Sequence, residues 1–416
     1  EELTPSLAFK CGNSLSRFCY NKKVVIGRDS RTSGDILSLS VTNGLIDNGV
    51  TVIDVGIAST PSIAFLTRFL DCDYGVVISA SHNPPMYNGI KIFDKDGYKI
   101  NEQLENEIER KLMIPLSQDY DKIGKYLYRP SYLKYYTEDI VKNIQSIDGL
   151  KIVVDLANGA CCKLAHNVFN RISKDVVFVN DKPSGLKIND RCGALYPQNL
   201  SSLVKKYNAD IGFAFDGDAD RIIACDENGK IVDGDEILYI LSKFEENISS
   251  IVGTTLSNKG FELALEEKGI KLIRADVGDK YVIELMRKNG SPLGGEPSGH
   301  IIIKSHSTTG DGLLVAVRLA QICKMSGKKL SKLIDYTPFP QVNINVSVVD
   351  KFRILNSEKL TSEILNIQKQ FKNNGRVLVR ASGTENKIRV MCEHINKGEA
   401  LAKAKDLENL ILQLNR

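Results

Sequence analysis

The chain has 416 residues, of which 42% are hydrophobic, and this is enough for about three domains with cores of their own. Its 55 basic and 51 acidic side chains give a net charge of +4, which excludes the strong positive field typical of nucleic-acid-binding proteins. No apolar run approaches the roughly 20 residues of a membrane span, and the first residues lack the zones of a signal peptide. We therefore expect a cytoplasmic protein with no nucleic-acid or membrane partner.

The nine cysteines give no sign of a metal site or a disulfide framework. Their number is odd, Cys161 and Cys162 are adjacent, and no Cys-x-x-Cys spacing occurs. We expect them to be reduced and mostly buried, as is usual in the cytoplasm.

Short β-branched segments alternate with amphipathic helical patterns along most of the chain. The segments predicted to be strands are 24–26, 52–55, 75–78, 152–155, 251–254 and 272–274. Helices are predicted for segments such as 261–268 and 281–289. This alternation is typical of βαβ units, in which each strand ends in a turn where ligands bind. The last part of the chain differs, because a strand at 342–348 and a helix from about residue 358 precede two strands and a terminal helix.

Polar connectors indicate the domain boundaries. They are a tyrosine-rich stretch with the helix after it (126–148), a polar segment (245–250) and a proline-containing segment (335–340). We expect three consecutive α/β domains with mixed sheets, followed by an α+β domain, around a central cleft. The expected domains are 1–148, 149–247, 248–336 and 337–416.

Residues 79–89, here called the serine loop, follow the strand predicted for 75–78. Two prolines and an Asn-Gly pair keep the backbone of this loop out of helix and sheet, so the loop presents its side chains. Ser81 is therefore a candidate nucleophile, with His82 beside it and Lys91 close enough to carry a proton. An ordinary turn without a chemical role explains the same residues and stays open at this point.

Residues 216–221 (Asp-Gly-Asp-Ala-Asp-Arg), here called the acidic loop, follow an apolar strand. The carboxylates of Asp216, Asp218 and Asp220 stand at alternate positions and repel one another unless a cation lies among them. A calcium loop of the helix-loop-helix type is excluded, because its sixth position must be glycine and is Arg221 here. Oxygen ligands next to an arginine suit Mg²⁺ that holds a phosphate, and a solvated acidic turn is the alternative.

Residues 296–300, here called the Glu-His loop, are held in an unusual path by neighbouring glycines and a proline. Glu296, Ser298 and His300 offer a carboxylate, a hydroxyl and an imidazole, which together suit adjacent hydroxyl groups of a sugar. A glycine-rich hairpin without a ligand explains this segment equally well.

Residues 380–389, here called the arginine loop, follow a further strand. Arg380 and Arg389, two hydroxyls and the amides of a glycine-containing turn form a set of donors for an oxyanion such as phosphate. Neither a P-loop nor a Gly-x-Gly-x-x-Gly fingerprint occurs, which argues against kinase or dehydrogenase chemistry driven by nucleotides.

In this order, and one per expected domain, the four loops resemble those of the α-D-phosphohexomutase family over essentially the whole chain. Further segments favour the bacterial members that act on glucosamine phosphates: 155–160, 188–193, 232–235, 277–281, 308–312 and 340–341. The sequence departs from these members at Tyr87 and Pro297, where Asp and Gln are usual, and at Ala381 and Asn386, where prolines are usual. It also lacks the family's Gly-Thr-Asp-Gly-Ile-Arg-Gly strand, and with it an arginine expected near the phosphoserine.

The resemblance implies a phosphohexose mutase of the isomerase class that converts glucosamine 6-phosphate to glucosamine 1-phosphate. A bisphosphorylated hexose would be its intermediate and activator, and the chain would act as a monomer or homodimer. The resemblance also implies a role for each loop. Mg²⁺ would be ligated by Ser81, Asp216, Asp218 and Asp220, and catalysis would involve phosphorylated Ser81 with His82, Lys91 and Arg221. The sugar would be bound by Glu296, Ser298 and His300, and the non-reacting phosphate by Arg380, Ser382, Gly383, Thr384 and Arg389. The alternatives are a phosphoglucomutase or phosphomannomutase, a non-catalytic sugar-phosphate binding protein and a metal-dependent phosphatase.

Overall fold

The structure is a computed structural model that describes residues 3–112, 123–142, 144–383 and 385–415. The chain divides into two units, of which the larger is Glu1–Leu256 with Ile270–Ile334 and the smaller is Ser257–Gly269 with Asp335–Arg416. Three sheets belong to the larger unit and one to the smaller unit.

The first sheet mixes parallel strands with one antiparallel strand. In chain order its strands are β1 (Lys23–Arg28), β2 (Thr51–Ile57), β3 (Tyr74–Ile78), β4 (Ile90–Asp94) and β5 (Tyr126–Tyr128). Its helices are α1 (Pro5–Ser16), α2 (Gly34–Ile46), α3 (Thr60–Phe69), α4 (Glu102–Lys111) and α5 (Leu133–Val141). The spatial order is β4-β3-β1-β2-β5, with β4 antiparallel to β3. The tyrosine-rich stretch therefore begins with an edge strand of this sheet.

The second and third sheets repeat this plan. The second has β6 (Ile152–Asp155), β7 (Val176–Val179), β8 (Ile211–Phe215), β9 (Ile222–Asp226) and β10 (Ile231–Val232), in the order β10-β9-β8-β6-β7. Its helices are α6 (Cys162–Ile172), α7 (Pro197–Tyr207) and α8 (Gly234–Ser242). The third has β11 (Ser250–Thr254), β12 (Lys271–Ala275), β13 (Leu293–Gly295) and β14 (Ile301–Ile303), in the order β12-β11-β13-β14.

The smaller unit is built on a three-stranded antiparallel sheet. Its strands are β15 (Gln341–Ser347), β16 (Gly375–Ala381) and β17 (Lys387–His394), in the order β15-β17-β16. The remaining helices are α9 (Lys259–Glu266), α10 (Asp279–Asn289), α11 (Gly312–Ser326), α12 (Lys351–Leu355), α13 (Glu358–Phe371) and α14 (Lys397–Leu414). Of these, α10 and α11 belong to the larger unit and the other four to the smaller one.

Helix α9 belongs to the smaller unit although it follows β11 of the third sheet in sequence. The amide of Lys259 donates to Glu393 Oε2 at 3.1 Å, and Arg376 Nη2 donates to the carbonyl of Ser257 at 2.8 Å. Asn258 caps the helix and also donates through Nδ2 to the carbonyl of Phe339 at 3.0 Å. These contacts fix both the helix and the strand that follows residue 340.

Each of the four loops singled out in the sequence connects two antiparallel neighbours. The serine loop joins β3 to β4, the acidic loop joins β8 to β9, the Glu-His loop joins β13 to β14, and the arginine loop joins β16 to β17. Strands such as β6 and β8 are buried at every residue, as expected for strands covered on both faces. The candidate functional side chains therefore lie on or next to loops that rigid strand pairs hold in place.

The predicted fold class is confirmed, since three mixed α/β sheets precede an α+β unit. The predicted strands are present and extend one or two residues further at several ends. All nine cysteines are free, and all but Cys11 are buried, as predicted. Among the described residues no helix is long and apolar enough to cross a membrane.

Helices α1 and α2 pack so closely that two glycines are required at their interface. A Cβ atom on Gly44 would lie 2.1 Å from the carbonyl oxygen of Phe9, and one on Gly12 would lie 2.1 Å from that of Val41. Both neighbours are backbone atoms of helices, so they cannot move aside independently.

We expect Gly44→Ala to lower the free energy of unfolding by about 1–3 kcal/mol, because the added methyl group overpacks the interface between α1 and α2. Urea denaturation followed by circular dichroism measures the change. Gly398→Ala in the first turn of α14 is the matched control, since its Cβ would meet only the side-chain end of Asn396. An equal effect of the two substitutions would contradict the packing argument.

Candidate active site

The serine loop holds Ser81 in a backbone conformation that is uncommon for a residue with a side chain. Its φ is +51°, in the left-handed region, and the residue is 8% exposed. Ser81 Oγ donates to Asp216 Oδ2 at 2.7 Å and lies 3.4 Å from Asp220 Oδ1. The candidate nucleophile and the acidic loop, which lie on different sheets, are therefore in contact.

The acidic loop brings its three carboxylates together in a buried position. One oxygen each from Asp216, Asp218 and Asp220 lie within 4.8 Å of one another, and the three residues are between 0% and 5% exposed. Asp218 Oδ1 is buried and has no hydrogen-bond partner among the described residues. Three converging carboxylates with an unused oxygen fit a hard divalent cation.

The protein's own charges balance these carboxylates unequally. Burial raises the pKa of Asp216 well above its usual range, and repulsion by Asp220 and Asp218 adds to this effect. Burial also disfavours the charge on Asp220, but Lys91, His300 and Arg221 outweigh it and lower the pKa of that carboxyl. Of Asp216 and Asp220, Asp216 is therefore the carboxyl group whose burial the nearby positive charges do not offset.

Lys91 is the main protein cation of this site. It lies on β4 opposite Val77 of β3, and its Nζ contacts Asp218 Oδ2 at 2.6 Å and Asp220 Oδ2 at 2.7 Å. Burial disfavours the ammonium form, but the two carboxylates prevail and raise the pKa of Lys91. The side chain is therefore a protonated ammonium held beside the acidic loop.

Thr60 is a contact of the acidic loop that sequence reasoning missed. It begins α3, where its Oγ1 donates to Asp218 Oδ2 at 2.5 Å and its amide donates to the carbonyl of Asp218 at 3.0 Å. The preceding Ser59 caps the helix, and Ser-Thr-Pro is an ordinary way for a helix to begin. Nothing in that segment alone signals a partner more than 150 residues away.

His82 and Arg221 lie on either side of the carboxylates. The ring Nδ1 of His82 is 3.4 Å from Ser81 Oγ, and burial together with the charge of Arg221 lowers the pKa of this imidazole. The amide of Arg221 donates to Asp216 Oδ1 at 3.2 Å. Its guanidinium interacts electrostatically with the three aspartates and with Glu296, so it connects the acidic loop to the Glu-His loop.

The Glu-His loop is a tight turn held against the second sheet. Gly299 has φ +92° and lies so close to β9 that a Cβ atom would be 1.9 Å from the carbonyl oxygen of Ile222. Glu296 is 8% exposed, and burial raises the pKa of its carboxyl group. Ser298 is exposed at the tip of the turn.

The hydrogen bond of His300 defines which ring nitrogen carries its proton. Nε2 accepts from the amide of Gly310 at 3.2 Å, so in the neutral ring the proton is on Nδ1, which is buried without a partner among the described residues. His300 interacts electrostatically with Asp220, Glu296 and Asp279. The buried ring therefore has one nitrogen without a partner among the described residues, and it lies in a region of several carboxylates.

Asp279 is a second residue that sequence reasoning did not assign. It begins α10, and its Oδ2 lies 3.5 Å from Nζ of Lys99. Burial disfavours its charge, but His300 and Lys99 outweigh this and lower the pKa of Asp279. The residue lies within the segment 277–281 that contributed to the family resemblance, and only the fold brings its carboxylate near His300.

The arginine loop belongs to the smaller unit. Arg380 and Arg389 are direct partners across β16 and β17, and burial together with the charge of Arg389 lowers the pKa of Arg380. Arg389 Nη2 lies 3.5 Å from Ser382 Oγ, while Gly383 is exposed with open space around it. Two cations held side by side are suited to an anion. The predicted phosphate ligand Thr384 lies outside the described residues.

Comparison with protein families matches most of the chain to four domain models. Models of the phosphoglucomutase/phosphomannomutase family match α/β/α domain I at residues 1–114, domain II at 130–229, domain III at 233–339 and the C-terminal domain at 344–409. The structure is similar to that of a Burkholderia thailandensis protein of the same family, with a TM-score of 0.83, 24% identity and coverage of 99% of this chain and 94% of that one. It also shares its fold with Aspergillus fumigatus N-acetylphosphoglucosamine mutase in complex with GlcNAc-6P and magnesium, with a TM-score of 0.66, 18% identity and coverage of 86% and 93%.

Sequence relatives are similar over nearly their whole length. The phosphoglucosamine mutase of Thermoanaerobacter sp. (strain X514) is 44% identical in an alignment that covers 99% of this chain and 95% of the relative. That of Bacillus subtilis (strain 168) is 43% identical in an alignment that covers 94% of this chain and 91% of the relative. The four family models and these identities confirm the resemblance seen in the loops, and the chain belongs to the phosphoglucomutase/phosphomannomutase family of α-D-phosphohexomutases.

Proposed function

We propose that the chain is a phosphohexose mutase that interconverts glucosamine 6-phosphate and glucosamine 1-phosphate. The observation that carries this proposal is the contact between Ser81 Oγ and Asp216 Oδ2 at 2.7 Å, which places a hydroxyl nucleophile at a buried carboxylate cluster. The choice of the aminosugar is supported by relatives named phosphoglucosamine mutase that are 41–45% identical over nearly the whole chain.

The reaction consists of two phosphoryl transfers through Ser81. In the first, the bond between phosphorus and Ser81 Oγ breaks and a bond from phosphorus to the free sugar hydroxyl forms, which gives a bisphosphorylated sugar. That intermediate turns over in the site, and its other phosphoryl group returns to Ser81. The atoms of sugar and phosphate are conserved, so the net result is an isomerisation.

Each transfer also moves one proton. The sugar hydroxyl loses a proton when it attacks, and Ser81 Oγ gains one when it leaves. His82 has a lowered pKa and is neutral at pH 7, so its Nδ1, 3.4 Å from Ser81 Oγ, can accept a proton. Lys91, whose ammonium form is stabilised by Asp218 and Asp220, is assigned an assisting role in proton transfer as a charged hydrogen-bond donor beside the acidic loop.

The acidic loop fits Mg²⁺, with Asp216, Asp218, Asp220 and an oxygen on Ser81 as its ligands. A bound Mg²⁺ would supply positive charge that offsets the developing charge of the transferring phosphoryl group. Arg221 supplies further positive charge from the protein. The raised pKa of Asp216 supports the fit, because this carboxylate is the one that the protein's own cations leave uncompensated.

The Glu-His loop and the arginine loop supply binding and orientation. Glu296 and Ser298 bind sugar hydroxyls, and His300 adds the free N–H donor on Nδ1. Arg380 and Arg389, with Ser382, Gly383 and Thr384, hold the phosphate that is not being transferred. Positioning of a substrate at both ends converts the transfer into an effectively unimolecular step.

A second candidate function is mutase activity on glucose or mannose phosphates. It is favoured by Pro297, which has no side-chain amide at a position where the relatives that act on glucosamine phosphates usually have Gln. If that amide recognises the 2-amino group, its loss reduces discrimination by about 0.5–1.5 kcal/mol, the contribution of one hydrogen bond. Asp279 and Glu296 favour the aminosugar instead, because their carboxylates suit an ammonium group.

We expect purified protein to carry phosphate on Ser81 and to convert glucosamine 1-phosphate to the 6-phosphate faster than it converts glucose 1-phosphate. Ser81→Ala should abolish conversion of both sugars and leave the thermal unfolding midpoint within a few degrees of the wild type, because the hydroxyl is the group that accepts phosphate. Peptide mapping by mass spectrometry and NMR of the two phosphosugars measure these outcomes. Release of free phosphate without isomer would identify a phosphatase, and a tenfold preference for glucose phosphate would promote the second candidate.

The metal proposal predicts different effects for two carboxylates of the acidic loop. Asp216→Asn should raise the thermal stability of the metal-free protein, because it removes the carboxylate with the unfavourable charge. Asp218→Asn should not, because Asp218 is paired with Lys91 and Thr60. Mg²⁺ at about 100 times its dissociation constant should stabilise the wild type by about 2.7 kcal/mol, and both variants should lose this gain. Wild-type turnover that persists in excess chelator would rule the metal out.

The arginine loop is expected to act on binding rather than on chemistry. Arg380→Ala should weaken substrate binding by about 1.5–3 kcal/mol, the range for hydrogen bonds to charged groups, which corresponds to roughly a 10- to 150-fold rise in KM. Lys369→Ala is the control, because it removes an exposed cation from α13 of the same unit. A loss of kcat with unchanged KM would show that Arg380 acts in the transition state instead.

A further inference from the structure

The left-handed conformation of Ser81 must be held by its surroundings, because a residue with a Cβ atom does not favour it. In this conformation Ser81 Oγ contacts Asp216, while the carbonyl oxygen of Ser81 accepts hydrogen bonds from Arg31 and Asn189. The proposed reaction requires this placement of Oγ. The contacts of that carbonyl and of its neighbours in the serine loop therefore determine where the nucleophile stands.

Arg31 supplies most of these contacts. It lies between β1 and α2, is 2% exposed, and directs its guanidinium at the inner side of the serine loop. Nη2 donates to the carbonyl oxygens of Ser81 at 2.9 Å and Asn83 at 2.8 Å. Nη1 donates to those of Pro84 at 2.5 Å and Tyr87 at 2.9 Å. One planar side chain thus binds four carbonyl groups along the loop.

Asp29 fixes both Arg31 and the start of the serine loop. Its Oδ2 accepts from Arg31 Nε at 2.9 Å and from Ser79 Oγ at 2.6 Å. The same Ser79 hydroxyl oxygen accepts from the amide of Ser81 at 2.8 Å. The amide and the carbonyl of Ser81 are therefore both tied, directly or through one side chain, to the Asp29–Arg31 pair.

Asn189 binds the same two carbonyls from the second sheet's side. It lies between β7 and α7 in the segment 188–193, which contributed to the family resemblance but has no role in the chemistry described above. Its Nδ2 donates to the carbonyl oxygens of Ser81 at 2.8 Å and Asn83 at 3.2 Å. The residue is 5% exposed, and its own backbone is anchored by a hydrogen bond to the carbonyl of Ala157 at 3.1 Å.

The acidic loop passes directly beside this contact. A Cβ atom on Gly217 would lie 2.8 Å from the carbonyl oxygen of Ser81 and 2.9 Å from Asn189 Nδ2. The amide of Asn189 therefore sits where the serine loop and the acidic loop touch. Any displacement of the Ser81 carbonyl there also changes the distance between Ser81 Oγ and Asp216.

We propose that Arg31 and Asn189 are positioning residues. They hold the carbonyl groups of Ser81 and Asn83 by hydrogen bonds from the first and second α/β domains, and so direct the Ser81 hydroxyl toward the acidic loop. This inference rests on the proposed function for its meaning in catalysis. Neither side chain touches the reacting atoms, so both act through the backbone of the serine loop.

Asn189→Gly is the cleanest test, because Asn189 has φ +58° and glycine adopts that backbone at no steric cost. The substitution thus removes the side chain, and with it both hydrogen bonds to the serine loop, without straining the backbone. We expect kcat to fall about tenfold, with KM within about twofold of the wild type, since misplacement of a reacting group by a fraction of an ångström affects chemistry more than binding. Deuterium uptake by the amides of residues 79–89 should increase in the same variant.

Asn208→Gly is the matched control. Asn208 also has a positive φ (+50°), but it is exposed at the C-terminus of α7, away from the serine loop, so kcat and deuterium uptake there should be unchanged. Arg31→Lys, which keeps the charge but cannot span four carbonyls, should lower kcat more strongly, about 100-fold, with the same rise in uptake.

The outcomes separate the two hypotheses. Equal kcat and equal deuterium uptake in Asn189→Gly and Asn208→Gly would contradict the positioning role of Asn189. A rise in KM with unchanged kcat in Asn189→Gly would contradict it as well. A wild-type protein without mutase activity would overturn the proposed function instead, while the uptake comparison would still test whether Arg31 and Asn189 hold the loop.

Discussion

The contact of the serine loop with the acidic loop is the constraint on which the rest of the larger unit depends. These loops leave two different sheets, and they can meet only because Gly217 has no side chain to separate them. Ser81 Oγ then reaches Asp216, and Lys91 on the next strand reaches Asp218 and Asp220. The first and second sheets are therefore joined by the same groups to which we assign the chemistry.

Electrostatic balance explains the distribution of the charged side chains. Three buried carboxylates are tolerable only with compensating charge, and the fold brings Lys91 and Arg221 to them while leaving Asp216 poorly compensated. Stability alone would favour a third cationic side chain near Asp216. The imbalance is instead what an added divalent cation would relieve, in line with the proposed Mg²⁺ site.

The sequence predicts well what lies close together along the chain. Ser81, the three aspartates and the Glu-His loop could be singled out from the sequence because their polar groups are concentrated in a few adjacent residues that follow a strand. Thr60, Arg31 and Asn189 were missed because each lies in a segment that ordinary helix starts and turns explain, and only long-range packing gives it a partner. The strand Tyr126–Tyr128 was not predicted for a related reason. It lies at the edge of the first sheet and pairs only with β2, so its own sequence need not show the apolar pattern of a central strand.

The path of the chain through the two units has a consequence for folding during synthesis. The chain passes between the units three times, at residues 256–257, 269–270 and 334–335, so neither unit is a continuous stretch of sequence. Helix α9 leaves the ribosome about 130 residues before β17, which carries its partner Glu393. At about 5–20 residues per second, that interval is on the order of 10 s. During it the first sheets can fold, whereas the amide of Lys259 at the start of α9 still lacks its native acceptor Glu393, so this helix reaches its final contacts only after most of the chain has been made.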